Sequence, residues 1–204
     1  MRLYVHELSG HSHRTRLLAG LLALDVEFVR VDLGAGEHKQ PAFLAKNPLG
    51  QVPVLEDGEL TLADSNAILV YLATRYDTSG QFYPDAPELR ARIQRWFSIA
   101  AGELKSGPAD ARLVNVFGAK LDHDRAKEIA ARVLRVLDAE LQTSGFLIGA
   151  HATLADVAVY SYVAHAPEGD VSLEPFPAVR AWLSRVEALP GFVPMKRTAV
   201  GLAA

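Results

Sequence analysis

A chain of 204 residues, half of them hydrophobic and 22% charged, holds enough apolar material for one or two domains with cores of their own. A net charge of −3 and a pI near 6.2 give no electrostatic footing for nucleic acid or an anionic membrane. Cysteine is absent, which excludes disulfides, redox pairs and thiolate metal ligands; any thiol used here must arrive with a ligand.

Residues 2–7 read as a first strand, with Leu3 and Val5 on one face. Strand character at the start, no charged-then-apolar leader and no apolar run of spanning length argue against secretion or a membrane span. With the missing cysteines, they predict a cytoplasmic protein. Leu8-Ser9-Gly10 is a turn. Over residues 13–24, Leu17, Leu18, Leu21, Leu22 and Leu24 fall at helical spacing, with Arg14 and Arg16 elsewhere on the helix. Val29 and Val31 mark a second strand within residues 26–33, followed by a Gly34-Ala35-Gly36 loop and a short helix over 41–46. A third strand lies within residues 47–55, then come the hairpin signal Asp57-Gly58, a partner strand Leu60-Thr61-Leu62 and a helix over 65–76. The order βαβαββα predicts a small mixed sheet with helices on its faces.

Residues 77–87, which include Thr78, Ser79, Gly80, Pro84 and Pro87, break the composition. The expected division is a first domain over 1–77, a linker over 78–87 and an all-helical second domain over 88–204. Its helices are expected over 88–105 (ended by Gly107-Pro108), 109–117, 125–142, 153–164 and 177–189. The third carries Ile129, Val133, Val136, Leu137 and Leu141 at three- and four-residue spacing. Thr153-Leu154-Ala155-Asp156 has the spacing of a capping box, with Asp in place of the usual Glu. Trp96, Phe97 and Trp182 are assigned to the core of this half, and residues 165–169 to a loop.

The rest of the chain is organised around Asn47-Pro48-Leu49-Gly50-Gln51-Val52-Pro53-Val54-Leu55. Proline cannot donate to a sheet ladder, so Pro53 belongs at a strand entrance or in a tight bend, where its peptide can be cis. Such a bend leaves the Val52 N–H and C=O facing outward, ready to pair with an extended peptide. Asp64 and Ser65 stand just ahead of the helical residues Ile68, Leu69 and Leu72, where an N-cap belongs and where backbone N–H groups bind carboxylates. A peptide clamp and a carboxylate pocket thus lie close together in sequence.

On these residues the chain resembles the glutathione transferase superfamily, and the resemblance covers nearly its whole length. The carrying segments are residues 47–55, the run from Asp64 to Leu69 and the Thr153–Asp156 cap; Leu8-Ser9-Gly10 is similar to bacterial serine-type members near the theta and zeta classes. The resemblance implies an α/β thioredoxin-like N-terminal domain, an all-α C-terminal domain and glutathione as co-substrate. It also implies a homodimer and a small hydrophobic electrophile as second substrate. For glutathione it implies Val52 at the cysteinyl part, Pro53 holding the bend, Gln51 at a contact position, and Ser65 with Asp64 at the γ-glutamyl end. Either His38 or Lys39 would meet the glycyl carboxylate. Leu8 and His11 would face the electrophile.

A free thiol of pKa about 8.5 is mostly protonated at neutral pH, and lowering it by about two units takes roughly 2.7 kcal/mol of preferential anion stabilisation. A hydroxyl donor together with helix-start N–H groups can supply this. Ser9 stands between the first strand and first helix, and it matches the activating serine of serine-type members. Ser12 and His11 are the rival donors. His6, His11 and His13 straddle different elements and make no expected metal site. The implied activity is conjugation of the glutathione thiolate to an electrophile. Glutathione-dependent disulfide or peroxide reduction, maleyl isomerisation and a non-catalytic binding or dimerisation module are the alternatives.

Overall fold

The computed structural model describes residues 1–199 and divides into two units, one of Met1–Gly80 with Pro190–Lys196, the other of Gln81–Leu189 with residues 197–199. The first unit runs β1 (Arg2–Val5), α1 (Gly10–Leu21), β2 (Glu27–Arg30), α2 (Pro41–Leu44), β3 (Val54–Asp57), β4 (Leu60–Ala63) and α3 (Ser65–Tyr76), which is the βαβαββα order expected. The sheet order is β2-β1-β3-β4, with β1 parallel to β2 and antiparallel to β3. Leu3 pairs with Leu55 across the sheet, and both are fully buried with Leu17, Leu18, Ile68, Leu69 and Leu72 of α1 and α3. The β3–β4 turn falls on Gly58 and Glu59, one residue later than the Asp57-Gly58 signal, because Asp57 still pairs with Leu60.

α1 begins earlier than its leucine spacing suggests. Ser9 is its N-cap, so His11 and His13 both lie in its first turns. His13 Nε2 sits 2.7 Å from the Val193 carbonyl oxygen, and Lys196 pairs with Glu7 at 3.2 Å. These contacts explain why Pro190–Lys196 groups with the first unit rather than with the helices that precede it.

The second unit is helical throughout: α4 (Pro87–Ala101), α5 (Asp110–Phe117), α6 (His123–Leu141), α7 (Leu154–Ala164) and α8 (Pro177–Glu187). Gly107-Pro108 does not end a helix as expected. α4 stops at Gly102, and Lys105–Ala109 forms a π turn that leads straight into α5. A wide turn tolerates the missing N–H of Pro108. Gly107 is required there by close approach, since a Cβ on it would lie 2.8 Å from the Ala130 nitrogen on α6. The buried face of α6 is Ala126, Ala130, Val133, Leu134, Leu137 and Leu141; Val136, placed on that face by spacing, is exposed. α7 is buried from Leu154 to Val163, with Trp96 and Trp182 also in the core.

Residues 165–169, expected as a loop, contain a single 3-10 turn (Ala166–Gly169) that carries Glu168 into a buried ion pair with Arg112 at 2.5 Å. The same carboxylate meets His165 Nδ1 at 2.8 Å and accepts the Thr198 N–H at 3.0 Å. Burial alone would raise the Glu168 carboxyl; the Thr198 N–H, the His165 ring and Arg112 outweigh it and hold it at about 2, below its usual 4.5. A depressed carboxylate stabilises the fold above its unfolded pKa and loses that contribution as pH falls through its folded pKa. The wild-type melting temperature should therefore fall as pH drops from about 4.5 toward 2, and Glu168→Gln should melt lower at neutral pH with a flatter acid limb. Parallel acid limbs for the two proteins would contradict this role.

Candidate functional site

The site residues of the first unit hang from one loop. Asn47 is buried; its Nδ2 donates to the Gln51 carbonyl at 2.8 Å, its Oδ1 accepts the Leu49 N–H at 3.1 Å, and its carbonyl accepts the Gly50 N–H at 2.8 Å. Gly50 has φ +59, and a Cβ on it would lie 2.7 Å from the His38 carbonyl oxygen and 3.1 Å from Lys39 Nζ. Only glycine lets the 3-10 turn Glu37–Lys39 lie this close, so His38 and Lys39 are brought beside Gln51. Lys39 and Gln51 are exposed, and His38 is half-buried with an Nδ1 that has no partner among the described residues.

The Val52–Pro53 peptide is cis, and β3 starts at Val54. Tyr4–Val54 is the last pair between β1 and β3, and beyond the end of β1 the backbone turns to other partners. The His6 N–H goes to Ser12 Oγ at 3.2 Å, and the His6 carbonyl accepts the Ser9 N–H at 3.0 Å. Among the described residues no backbone hydrogen bond involves the Val52 N–H or C=O, which stand in a bend ahead of β3.

Asp64 holds φ +75, a region that costs a non-glycine residue about 1–3 kcal/mol and that collects at functional sites. Its Oδ1 caps α3, accepting the Asn66 and Ala67 N–H groups at 2.9 Å each. No hydrogen bond to Oδ2 is found among the described residues. The Ser65 N–H, first in the helix, has no partner among the described residues, and its hydroxyl is met from α1 by two side chains. Arg14 Nη1 donates to Ser65 Oγ at 3.3 Å and to Asn66 Oδ1 at 2.9 Å, and His11 Nδ1 lies 3.2 Å from Ser65 Oγ. A helix start, a hydroxyl and a buried guanidinium converge where an anion would bind.

Ser9 Oγ accepts the Ser12 N–H at 3.2 Å as N-cap of α1. That uses a lone pair and leaves the hydroxyl proton to give away. Ser12, the rival donor, is fully buried with its Oγ accepting from His6.

Two site-building residues escaped sequence reading. Asn47 had a signal, an Asn-Pro step ahead of the proline bend. Arg14 had none: a cation off the leucine face reads as solvated, yet it is 1% exposed. In the second unit, Lys105 pairs with Asp110 at 3.1 Å and Arg112 with Glu168. Among the described residues no three His, Cys, Asp or Glu side chains are grouped to hold a metal, and no helix is long and apolar enough to cross a membrane.

A family model described as "Glutathione S-transferase, N-terminal domain" matches residues 1–74, and one described as "Glutathione S-transferase, C-terminal domain" matches residues 84–190. Glutathione S-transferase 3 of Zea mays is 31% identical over 211 residues, covering 94% of this chain and 91% of its own. Glutathione S-transferase theta-2 of Homo sapiens is 31% identical over 200 residues, covering 94% of this chain and 82% of its own. The crystal structure of a glutathione S-transferase from Pseudomonas fluorescens Pf-5 superposes with a TM-score of 0.88 at 33% identity, over 95% of this chain and 98% of that one.

Proposed function

The chain belongs to the glutathione S-transferase family, a family of transferases, and we propose that it joins the thiolate of glutathione to an electrophilic carbon of a small hydrophobic molecule. The observation that carries this reading is the unpaired Val52 backbone beside the open Ser65 helix start, in a unit whose Ser9 keeps a hydroxyl proton to donate.

In this reading the cysteinyl N–H and C=O of glutathione pair with Val52, whose bend Pro53 holds. The γ-glutamyl carboxylate lies on Ser65, the γ-glutamyl amine meets Asp64, and Gln51 contacts the peptide. The glycyl carboxylate is met by Lys39, whose ammonium lies over Gly50, with His38 beside it. Ser9 donates to the sulfur at the start of α1, where the helix N–H groups add positive potential. The stabilised thiolate attacks the electrophile, forming the carbon–sulfur bond as the leaving group or π-electron pair departs. Holding both reactants together supplies the proximity. Leu8 and His11 contribute to the electrophile's side from the first unit. A homodimer in the cytoplasm completes the proposal.

Ser65→Ala tests the binding half. It should weaken glutathione binding by about 1.5–3 kcal/mol, the worth of a hydrogen bond to a charged group, as read by calorimetry. An unchanged Kd would remove Ser65 from the site.

A further inference from the structure

The Ser65 hydroxyl has one proton to give and two lone pairs to fill. Arg14 Nη1 can only donate, so at 3.3 Å it occupies one lone pair. His11 Nδ1, at 3.2 Å, is a donor or an acceptor according to where the imidazole carries its proton. If Nδ1 accepts, the Ser65 proton is committed to the imidazole, and the hydroxyl meets a ligand as an acceptor. If Nδ1 carries a proton, both lone pairs are filled from α1 and the Ser65 proton must point away from it. An ionised carboxylate accepts and never donates, so only the second state can bind one through this hydroxyl.

We propose that His11 is a positioning residue of the carboxylate pocket, its Nδ1–H setting Ser65 as a donor to the α-carboxylate of the ligand's γ-glutamyl end. This rests on the glutathione reading above. It moves the main contact of His11 from the electrophile to the amino-acid end of the peptide, and makes the pocket selective for a carboxylate over groups that need an acceptor. His11 and Arg14 act as a pair: one lone pair each, from two consecutive turns of α1 onto the first residue of α3.

The test uses the full-length protein and two ligands, glutathione and γ-aminobutyryl-cysteinylglycine, which lacks only the carboxylate in question. Binding of both is measured calorimetrically for wild type and His11→Phe, with thermal melting as the check on folding. The expected result is a loss of roughly tenfold in glutathione affinity in the variant and less than about twofold for the analogue. Nitrogen NMR of histidine-labelled wild type should show His11 Nδ1 protonated in the glutathione complex. Equal losses for both ligands, or an Nδ1 without a proton in that complex, would overturn the proposal. The premise is read separately, on wild type alone: failure to bind glutathione there defeats the glutathione reading and this inference with it.

Discussion

Replacing Ser9 by alanine is expected to lower kcat roughly threefold at neutral pH while glutathione still binds. With the bound thiol about two units below its free pKa, loss of the whole shift would cut the thiolate fraction at neutral pH about twentyfold. The more basic thiolate that remains is the better nucleophile, which returns most of the loss, so about threefold is the expected net fall. Binding should change little, because a single hydroxyl contact to sulfur is a small share of the contacts made by a tripeptide with two carboxylates. The cap has its own cost. Ser9 Oγ accepts the Ser12 N–H, and removing such a cap lowers stability by about 1 kcal/mol, visible as a modest drop in melting temperature. The two effects separate by pH: the kcat profile of Ser9→Ala should shift its rising limb upward, which a lost cap alone cannot produce. Ser12→Ala is the control. It strips the His6 N–H of its acceptor and should destabilise the fold, leaving that limb in place. A shifted limb in Ser12→Ala and none in Ser9→Ala would reverse the assignment.

Asp156→Ala is expected to cost about 3–5 kcal/mol of stability, a large share of the total for a typical domain. The carboxylate is fully buried and accepts from the Leu147 N–H at 2.9 Å, the Thr153 N–H at 2.9 Å, the Thr153 hydroxyl at 3.2 Å and the Trp182 indole at 2.9 Å. Burial pushes its carboxyl up, so the charge itself is not the source of the stabilisation. The source is the set of donors, each costing about 1–3 kcal/mol if left buried without an acceptor. Chemical denaturation should give a smaller loss for Asp156→Asn, which keeps one acceptor oxygen. Thr153→Ala should lose about 1 kcal/mol, the ordinary value of a helix cap. An Asp156→Ala variant as stable as Thr153→Ala would show that the donors find other partners.

The capping box shows how far the sequence reaches. The spacing of Thr153 and Asp156 announced a helix start, and both halves of the box are present: the Asp156 carboxylate accepts the Thr153 N–H, and the Thr153 hydroxyl accepts from the Asp156 backbone as well as from the Ala155 N–H. That the same carboxylate also holds Leu147 and Trp182 depends on packing between distant segments, which no local pattern encodes. The proline bend was legible for a local reason: Pro53 cannot join a ladder, and the pairing of β3 with β1 stops at Val54, just after it. Arg14 was illegible because a buried guanidinium has the same sequence signature as a solvated one. Gly107-Pro108 misled for a related cause. Both residues break an ordinary helix, but here the chain widens into a π turn against α6, and glycine's missing side chain is what lets it come close.

The most direct test of the central claim is a pH titration of the thiolate ultraviolet absorbance of glutathione bound to the wild-type protein. The account predicts a bound-thiol pKa about two units below the free value of about 8.5, and its return most of the way to that value in Ser9→Ala. Glutathione bound with an unshifted pKa would contradict it, leaving a peptide-binding module without thiol activation.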